Sequence, residues 1–168
     1  AERIRGELLN LGIKVSKRSI QKYIPADRHQ KSGQTWSAFI QNHFQDIWAC
    51  DFTQVYDILF CSLFVFVIIE HASRRIVHVA VTAHPGDAWV AQQLREATPW
   101  GEGPKYLIRD NDSKYGQQFS AVAAGTGIKE IRTPYQAPNA NAICERYMGI
   151  LHRECLDHMI IINQKHLN

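Results

Sequence analysis

Residues 137–146 read APNANAICER, and the long helical pattern that this stretch opens organises the fold. Pro138 ends whatever precedes it. Asn139 and Asn141 are typical of a helix start, because a short polar side chain can accept hydrogen bonds from the free backbone N–H groups of the first turn. Glu145 then stands in that first turn, at the edge of an apolar stripe with helical spacing. The stripe comprises Cys144, Met148, Leu151, Cys155 and Met159.

The composition is that of an ordinary globular protein, with 168 residues, 45% of them hydrophobic, and a formal net charge of +3. The mild positive excess permits a nucleic-acid partner without arguing strongly for one. The four cysteines form no C-x-x-C pair, so we expect buried, reduced thiols in a cytosolic protein. No signal peptide is visible and no apolar run is long enough to span a bilayer, so no membrane partner is expected. The chain begins with Ala1, which suggests a piece of a longer protein.

Residues 1–25 carry two short helical patterns separated by a glycine. Ser16 is a good N-cap for the second of them. Helix, turn and short helix form the outline of a helix-turn-helix DNA-binding motif, and Lys17 and Arg18 give it positive charge. The alternative is a plain helical hairpin with a solvated basic face. Residues 26–45 are largely polar and predict a linker.

From residue 46 onward the pattern is that of one α/β core domain, 46–168. Three closely spaced strands predict an antiparallel meander, whereas the later strands alternate with helices and should join in parallel through right-handed crossovers. Asp87 is expected to cap the first helix. The prediction is a mixed five-stranded sheet flanked by helices. The expected strands are 47–56, 59–69, 76–81, 105–109 and 128–132, and the expected helices are 88–97, 119–124, the one after Pro138 and one from about Asn163.

Three acidic residues are candidates for one cleft: Asp51 within the first strand, Asp110 at the end of the fourth, and Glu145 on the long helix. Ligands bind at the carboxyl ends of strands in open α/β sheets. Converging carboxylates can hold two divalent ions, which activate water or a 3′-hydroxyl and stabilise the oxygen that leaves a phosphodiester. We therefore interpret the three carboxylates as a metal site. The alternative is that each is a separate cap or turn residue.

Four stretches, in this order, resemble the integrase core domain of bacterial insertion-sequence transposases. They are WACDFT (48–53), IRDNDSKYG (108–116), APNANAICER (137–146) and RECLDH (153–158). That domain is similar to the retroviral integrase core and has a ribonuclease-H-like fold. The resemblance covers roughly residues 42–168, and it implies that the core is truncated at its C-terminal end.

The resemblance implies an Asp-Asp-Glu catalytic triad, which falls on Asp51, Asp110 and Glu145, with 34 residues between the last two. Asp112 is a second candidate for the middle position. Many relatives have His-Ser immediately before the second Asp, where Ile108 and Arg109 stand here. Many also have Asp-Asn before the alanine that precedes the glutamate, where Ala140-Asn141 stands here. Neither departure removes a carboxylate.

The resemblance implies that the chain is a DDE-type transposase or integrase, that is, a polynucleotidyl transferase that cleaves and joins DNA strands. Water frees a 3′-hydroxyl at the element end, and that hydroxyl then attacks target DNA. The expected cofactor is Mg²⁺ or Mn²⁺, as two ions. The expected partners are double-stranded DNA and further copies of the chain, in the cytoplasm of a bacterium and associated with its nucleoid. The alternatives are a non-catalytic truncated copy that only binds DNA or assembles, and a ribonuclease-H-like nuclease.

Basic side chains near the triad are candidates for DNA contacts. Arg146 and Arg153 form one row on the long helix, and His152 shares the face of Glu145, seven residues or about two turns away. Lys114 follows the second Asp in a loop. With Lys17 and Arg18 they form the predicted DNA-binding set, because cationic side chains neutralise the phosphate backbone. The alternative is a solvated charged face.

Overall fold

The computed structural model of the protein describes residues 8–9, 12–23, 36–133 and 141–168, and the chain forms two compact units, Ala1–Thr35 and Trp36–Asn168. In the first unit, helix α1 spans Lys17–Tyr23. Ser16 caps this helix as predicted, since its Oγ accepts a hydrogen bond from the backbone N–H of Ser19 at 3.1 Å. The helix-turn-helix interpretation remains a prediction. No helix in the described part of the chain is both long and apolar enough to cross a membrane.

The second unit is built on one mixed sheet of five strands. They are β1 (Ile47–Tyr56), β2 (Ser62–Glu70), β3 (Ile76–Thr82), β4 (Tyr106–Arg109) and β5 (Lys129–Arg132). The spatial order is β3-β2-β1-β4-β5. The first three strands pair antiparallel, whereas β4 runs parallel to β1 and β5 runs parallel to β4. The predicted fold, an antiparallel meander extended by parallel strands, is confirmed.

The turn between β1 and β2 is longer than the sequence predicts, because β2 begins at Ser62 and not at Leu59. The Asp57 side chain shapes this turn: its Oδ1 accepts hydrogen bonds from the backbone N–H groups of Leu59 and Cys61, both at 2.9 Å. Leu59 and Phe60 are consequently exposed, by 77% and 86%. Their apolar character predicts a buried strand, but the hydrogen bonds to the Asp57 carboxylate form a turn there and leave both side chains in solvent.

Helices cover both faces of the sheet. In chain order they are α2 (Trp36–Asn42), α3 (Asp87–Ala97), α4 (Gln117–Gly125), α5 (Ala142–Glu154) and α6 (Gln164–Leu167). Alternate residues of β1 point to opposite faces, so Ala49 packs with Cys144 and Met148 of α5, whereas Cys50 packs with the core under α3 and α4. Both cores are apolar and closed, which holds α5 firmly over the face of β1 that carries Asp51.

Helix α2 belongs to the second unit. It lies within the linker predicted over 26–45, where Trp36 and Phe39 indicate a short amphipathic segment that packs on the core domain. Three of its side chains, Trp36, Phe39 and Ile40, pack against the core cluster beneath α5. The ring of Phe39 meets that of Tyr106 on β4 edge to face, with centroids 5.0 Å apart. The compact unit therefore begins at Trp36, while residues 26–35 of the predicted linker lie outside the described residues.

Asp87 does not cap its own helix, contrary to the sequence prediction. It is the first residue of α3, and its carboxylate instead accepts hydrogen bonds from three backbone N–H groups at the start of α4, those of Gly116, Gln118 and Phe119, at 2.8–3.0 Å. A side chain of one helix thus supplies the N-cap of the next. A Cβ at Gly116 would lie 2.5 Å from Oδ2 of Asp87, so this close approach requires glycine.

Helix α5 ends at Glu154, earlier than the apolar stripe predicts. The backbone of Cys155 leaves the helical conformation, with φ −137° and ψ −67°, and a short 3-10 turn follows at Leu156–His158. Leu156 turns into the core, where it is 7% exposed, so burial of its side chain replaces a further helical turn. Met159 packs on the same core from an extended segment. The helix predicted from about Asn163 is confirmed as α6, capped by the side chain of Asn163.

The four cysteines are free thiols, and two of them depart from the prediction. Cys50 and Cys144 are buried as expected. Cys61 and Cys155 are exposed. The sequence predicts a strand at Cys61 and a helix at Cys155, whereas both residues lie in turns between regular elements.

Candidate active site

Asp51 and Asp110 lie side by side because β1 and β4 are neighbouring parallel strands. The last paired positions of the two strands are Ala49 and Ile108, and each aspartate stands two residues further on. β4 ends at Arg109, whereas β1 continues to Tyr56, so β1 extends past the end of its parallel neighbour at this level. The carboxyl end of a parallel strand is where α/β sheets bind ligands.

The carboxylate of Asp51 is held from two sides. Its Oδ1 accepts a hydrogen bond from the backbone N–H of Phe52 at 2.8 Å, and its Oδ2 accepts one from Nδ2 of Asn141 at 3.2 Å. The same Nδ2 approaches the backbone carbonyl of Cys50 at 3.4 Å. Asn141 does precede α5, but its side chain makes no capping bond, so the predicted capping role of this residue is wrong. Asn139 lies outside the described residues.

Burial is the largest cause that raises the pKa of Asp51, from an ordinary 3.8 to about 6. The negative charges of Asp110, Glu145 and Asp112 raise it further, against the opposing hydrogen bond from Phe52. These carboxylates are therefore near enough to repel one another. Convergence of the three triad candidates on one cleft stays a prediction.

Glu145 lies in the first turn of α5 and is exposed, on the helix that covers Asp51. Among the residues that the structure describes, no group of three or more His, Cys, Asp or Glu side chains stands at the spacing that holds a metal ion. Carboxylates without a cation between them repel, and an exposed glutamate is free to turn toward solvent. The triad as a ligand set accordingly stays a prediction.

Asp110 and Asp112 have different surroundings, which bears on the choice between them. Asp112 forms an ion pair with Lys114 and also accepts a hydrogen bond from the backbone N–H of that residue at 3.0 Å. Burial raises the pKa of Asp112, but the bonds and charge of Lys114 outweigh burial and lower it overall. Asp110 accepts a weak bond from the backbone N–H of Asp112 at 3.3 Å. Asp110 thus has fewer hydrogen-bond and charge partners within the described residues than Asp112, and it directly follows β4.

Arg109 is a structural residue that sequence reasoning missed. Its side chain is 2% exposed, its Nε donates to Oε2 of Glu130 on β5 at 2.6 Å, and its Nη1 donates to the carbonyl of Asp110 at 3.0 Å. The guanidinium also lies over the ring of Tyr115, 5.0 Å from its centroid. The pair ties β4 to β5 just before Asp110. The available signal is an arginine that directly follows two apolar residues at the end of the predicted strand.

His152 bridges two elements with its imidazole. Nε2 lies 2.7 Å from Oγ1 of Thr53 on β1, and Nδ1 lies 3.4 Å from Oδ1 of Asp157, beyond the end of α5. Both ring nitrogens are thus engaged inside the chain. Thr53, like Asp51, lies on the face of β1 that α5 covers.

The remaining predicted DNA-binding residues are scattered over the described surface. Arg146 and Arg153 are exposed on α5, and Arg146 borders a groove of about 520 Å³ together with Arg74. Lys114 faces inward: besides Asp112 it contacts the ring of Phe52, 5.2 Å from the centroid. Arg18 is exposed on α1, and for Lys17 only the backbone is described. DNA binding by these residues stays a prediction.

The donors at the site fit a hard divalent cation in their chemistry. Such cations prefer carboxylate and amide oxygens. Besides the three carboxylates, the buried Oδ1 of Asn141 lies beside Asp51 without a hydrogen-bond partner among the described atoms. A cation would also relieve the repulsion that raises the pKa of Asp51.

No family model matches the sequence, and no curated protein matches it either. Solved structures do. A chain of the simian T-cell lymphotropic virus intasome in complex with the PP2A regulatory subunit B56 gamma matches with a TM-score of 0.61 and 18% identity, over 73% of this chain and 45% of that one. The HTLV-2 integrase catalytic core in complex with magnesium, in its trimeric form, matches with a TM-score of 0.53 and 19% identity, over 68% of this chain and 74% of that one.

A third solved structure, the catalytic core domain of BIV integrase, matches with a TM-score of 0.54 and 15% identity, over 68% of this chain and 71% of that one. This chain spans less than half the length of the intasome chain that it matches. At these identities the likeness is one of fold. The second unit has the ribonuclease-H-like fold of retroviral integrase catalytic cores.

Proposed function

We propose that this chain is the catalytic core of a DDE-type polynucleotidyl transferase, of the kind found in bacterial insertion-sequence transposases, acting on double-stranded DNA. The observation that carries the proposal is the meeting of Asp51 and Asp110 on adjacent parallel strands, under the helix that bears Glu145. A raised pKa at Asp51 supports it, since shared negative charge without a bound cation is otherwise costly to the fold.

Asp51, Asp110 and Glu145 would hold Mg²⁺ or Mn²⁺, as two ions, and the metal supplies Lewis acidity to the phosphodiester and to the attacking oxygen. The side chains have separate tasks in this proposal. The Phe52 backbone and Asn141 fix the two oxygens of Asp51, and Arg109 fixes the strand end from which Asp110 projects. The first reaction breaks a phosphorus–oxygen bond by attack of water and frees a 3′-hydroxyl. In the second, that hydroxyl attacks a target phosphodiester and displaces its 3′ oxygen.

Arg146 and Arg153 would neutralise the DNA backbone beside the carboxylates, since both are exposed and face solvent on α5. Lys17 and Arg18 would do so in the N-terminal unit, in line with the helix-turn-helix interpretation. Lys114 would have to exchange its contact with Asp112 for a phosphate. Self-association belongs to the proposal, because one HTLV-2 integrase core structure is trimeric and another is dimeric. Bacterial origin and a cytoplasmic, nucleoid-associated location belong to it as well.

One observation favours the non-catalytic alternative, a truncated copy that binds DNA or assembles without cleaving it. Within the described residues the carboxylates are not spaced for a metal ion. A substrate phosphate that completes the ligand set would account for this under the catalytic proposal. Cleavage measurements separate the two.

The test is nicking of supercoiled plasmid in Mg²⁺ or Mn²⁺ by the wild-type chain and by Glu145→Gln, which keeps the side-chain shape and removes the charge. Glu154→Gln is the matched control, because Glu154 is an exposed glutamate at the end of the same helix. We expect metal-dependent nicking by the wild type and the control, and background cleavage by Glu145→Gln. An RNA–DNA hybrid assayed in parallel tests the ribonuclease-H-like alternative.

Absence of nicking by a folded wild-type chain that still binds DNA would refute catalysis by this chain and favour the non-catalytic copy. Equal nicking by wild type and Glu145→Gln would refute the triad. Preferential cleavage of the hybrid would assign the nuclease alternative.

A further inference from the structure

The strand that carries Asp51 and the helix that carries Glu145 are joined by two polar links among the described residues. Asn141, immediately before α5, donates to Oδ2 of Asp51 at 3.2 Å. Near the other end of the helix, His152 contacts Oγ1 of Thr53 at 2.7 Å. Apolar contacts between β1 and α5 lie in the core between these links. They hold the helix on the sheet but are non-directional, so they fix its register less sharply than hydrogen bonds do.

The second link lies beyond the carboxylates along both elements. Thr53 stands two residues after Asp51, about 7 Å further along the same face of β1. His152 stands seven residues after Glu145, about 10 Å further along the same face of α5. A bond between Thr53 and His152 therefore fixes both how far α5 slides along β1 and how far it turns about its own axis.

The hydrogen-bond roles follow from the partners. The carboxylate of Asp157 can only accept, so Nδ1 of His152 carries the proton in that contact. In a neutral imidazole Nε2 then accepts, and the hydroxyl of Thr53 donates. The contact with Thr53 is short and partly shielded, whereas Asp157 is 58% exposed and lies at 3.4 Å. The link to Thr53 is accordingly the stronger of the two.

We propose that His152 is a positioning residue, which through Thr53 holds the helix bearing Glu145 in register with the strand bearing Asp51. The inference rests on the proposed function, and it assigns His152 a task different from the DNA contact predicted from sequence. A histidine that contacted phosphate would need a free ring nitrogen, and both nitrogens have partners in the chain.

The first experiment measures the contact without metal or DNA. Ring ¹⁵N chemical shifts of His152 are recorded in wild type, Thr53→Val and Thr53→Ser, and the signal is assigned by its loss in His152→Leu. We expect protonation on Nδ1 and an Nε2 signal that shifts by several ppm in Thr53→Val but stays in place in Thr53→Ser, which retains the hydroxyl. An Nε2 signal that is the same in Thr53→Val and wild type would overturn the proposal.

The second experiment measures Mn²⁺ affinity and plasmid nicking on the same variants. Loss of an outer hydrogen bond that orients metal ligands typically costs about 10–100-fold in metal affinity or activity. We expect Thr53→Val and His152→Leu each to lower Mn²⁺ affinity and kcat to this extent, with KM for DNA within about threefold of wild type. The double variant should be no worse than either single variant, and Thr53→Ser should be close to wild type.

Each of the other outcomes refutes a specific proposal. If His152→Leu raises KM and leaves kcat and Mn²⁺ affinity unchanged, while Thr53→Val acts as wild type, His152 binds DNA and the proposal fails. If wild type binds Mn²⁺ but cleaves no DNA, the enzymatic proposal fails, and Mn²⁺ affinity alone decides the positioning role. If wild type binds no Mn²⁺ even with plasmid DNA present, both fail.

Discussion

Replacing Asp51 with Asn should stabilise the metal-free protein, although Asp51 is a proposed catalytic residue. The Asn side-chain oxygen can still accept the hydrogen bond that the backbone N–H of Phe52 donates at 2.8 Å. What the substitution removes is a negative charge made costly by burial and by three neighbouring carboxylates. An active-site charge that destabilises the empty site is expected where the fold is built to hold a cation.

The magnitude follows from the pKa of Asp51, which is 3.8 ordinarily and about 6 in the folded chain. At about 1.4 kcal/mol per pKa unit, ionised Asp51 costs the folded state at most about 3 kcal/mol. Solvent screens part of this cost, and the Asn amide also meets Asn141 less favourably. We therefore expect a net gain of about 1–2 kcal/mol, or about 2–8 °C in Tm.

The pH dependence has a definite sign. Because the folded-state pKa of Asp51 is raised, the penalty is fully present above pH 6 or so and absent below the unfolded value near 3.8. The advantage of Asp51→Asn over wild type should therefore be largest at pH 7.5. It should fall to about half at pH 5 and to about a fifth at pH 4.

The assay is urea denaturation at these three pH values in EDTA, with thermal melts in parallel. Added Mg²⁺ should raise the Tm of wild type and leave that of Asp51→Asn unchanged, because only the ionised site gains from the cation. Equal or lower stability of Asp51→Asn at pH 7.5, or an advantage that does not change with pH, would refute the reasoning about this site.

Three further predictions concern the scaffold around the site. Asp87→Ala should lower the free energy of unfolding by about 1–2 kcal/mol, because three backbone N–H groups of α4 lose their acceptor. Burial raises the pKa of Asp87, but the three N–H bonds lower it overall. This contribution should therefore be fully present at pH 7 and decline as pH falls below about 4; a cost of Asp87→Ala that is as large at pH 2 as at pH 7 would contradict it. Gly116→Ala should lower the stability measured in thermal melts by a similar amount, since its Cβ would displace the Asp87 carboxylate. Gly125→Ala is the control, because a Cβ there meets nothing within 4 Å. If Gly116→Ala is equally destabilising in an Asp87→Ala background, the loss has another cause. Glu130→Ala should destabilise by about 3–5 kcal/mol, because it leaves the buried guanidinium of Arg109 unpaired, and adding Arg109→Met should recover part of the loss in urea denaturation; a double variant less stable than Glu130→Ala would count against the ion pair as the reason.

Much of the fold could be predicted because its signals are local. The strand at Ile47–Tyr56 alternates, the helix at Asp87–Ala97 has a regular apolar face, and short joins force a meander. The wrong predictions occur where a second interaction overrides the apolar pattern of the sequence. Leu59 looks like the start of a buried strand, but the Asp57 carboxylate forms a turn there. The apolar stripe continues to Met159, but Leu156 is buried by leaving the helix.

The candidate site could be predicted in part. Asp110 directly follows a strand, and Asp51 lies in the neighbouring one, so the topology alone brings them together. The choice of Asp110 over Asp112 came from resemblance and spacing. Its physical support, the ion pair of Asp112 with Lys114, is visible only in three dimensions.

The sequence by itself determined the order of the elements of the second unit and the strand ends near which Asp51 and Asp110 lie, because periodicity and turn chemistry act over a few residues. Only the tertiary structure decided the partners. The cap of α4 comes from Asp87, the buried Arg109 pairs with Glu130, and His152 meets a threonine 99 residues away. The physical reason is that a side chain carries its donors and acceptors in the sequence, while the atom that each one meets is set by how separate elements pack.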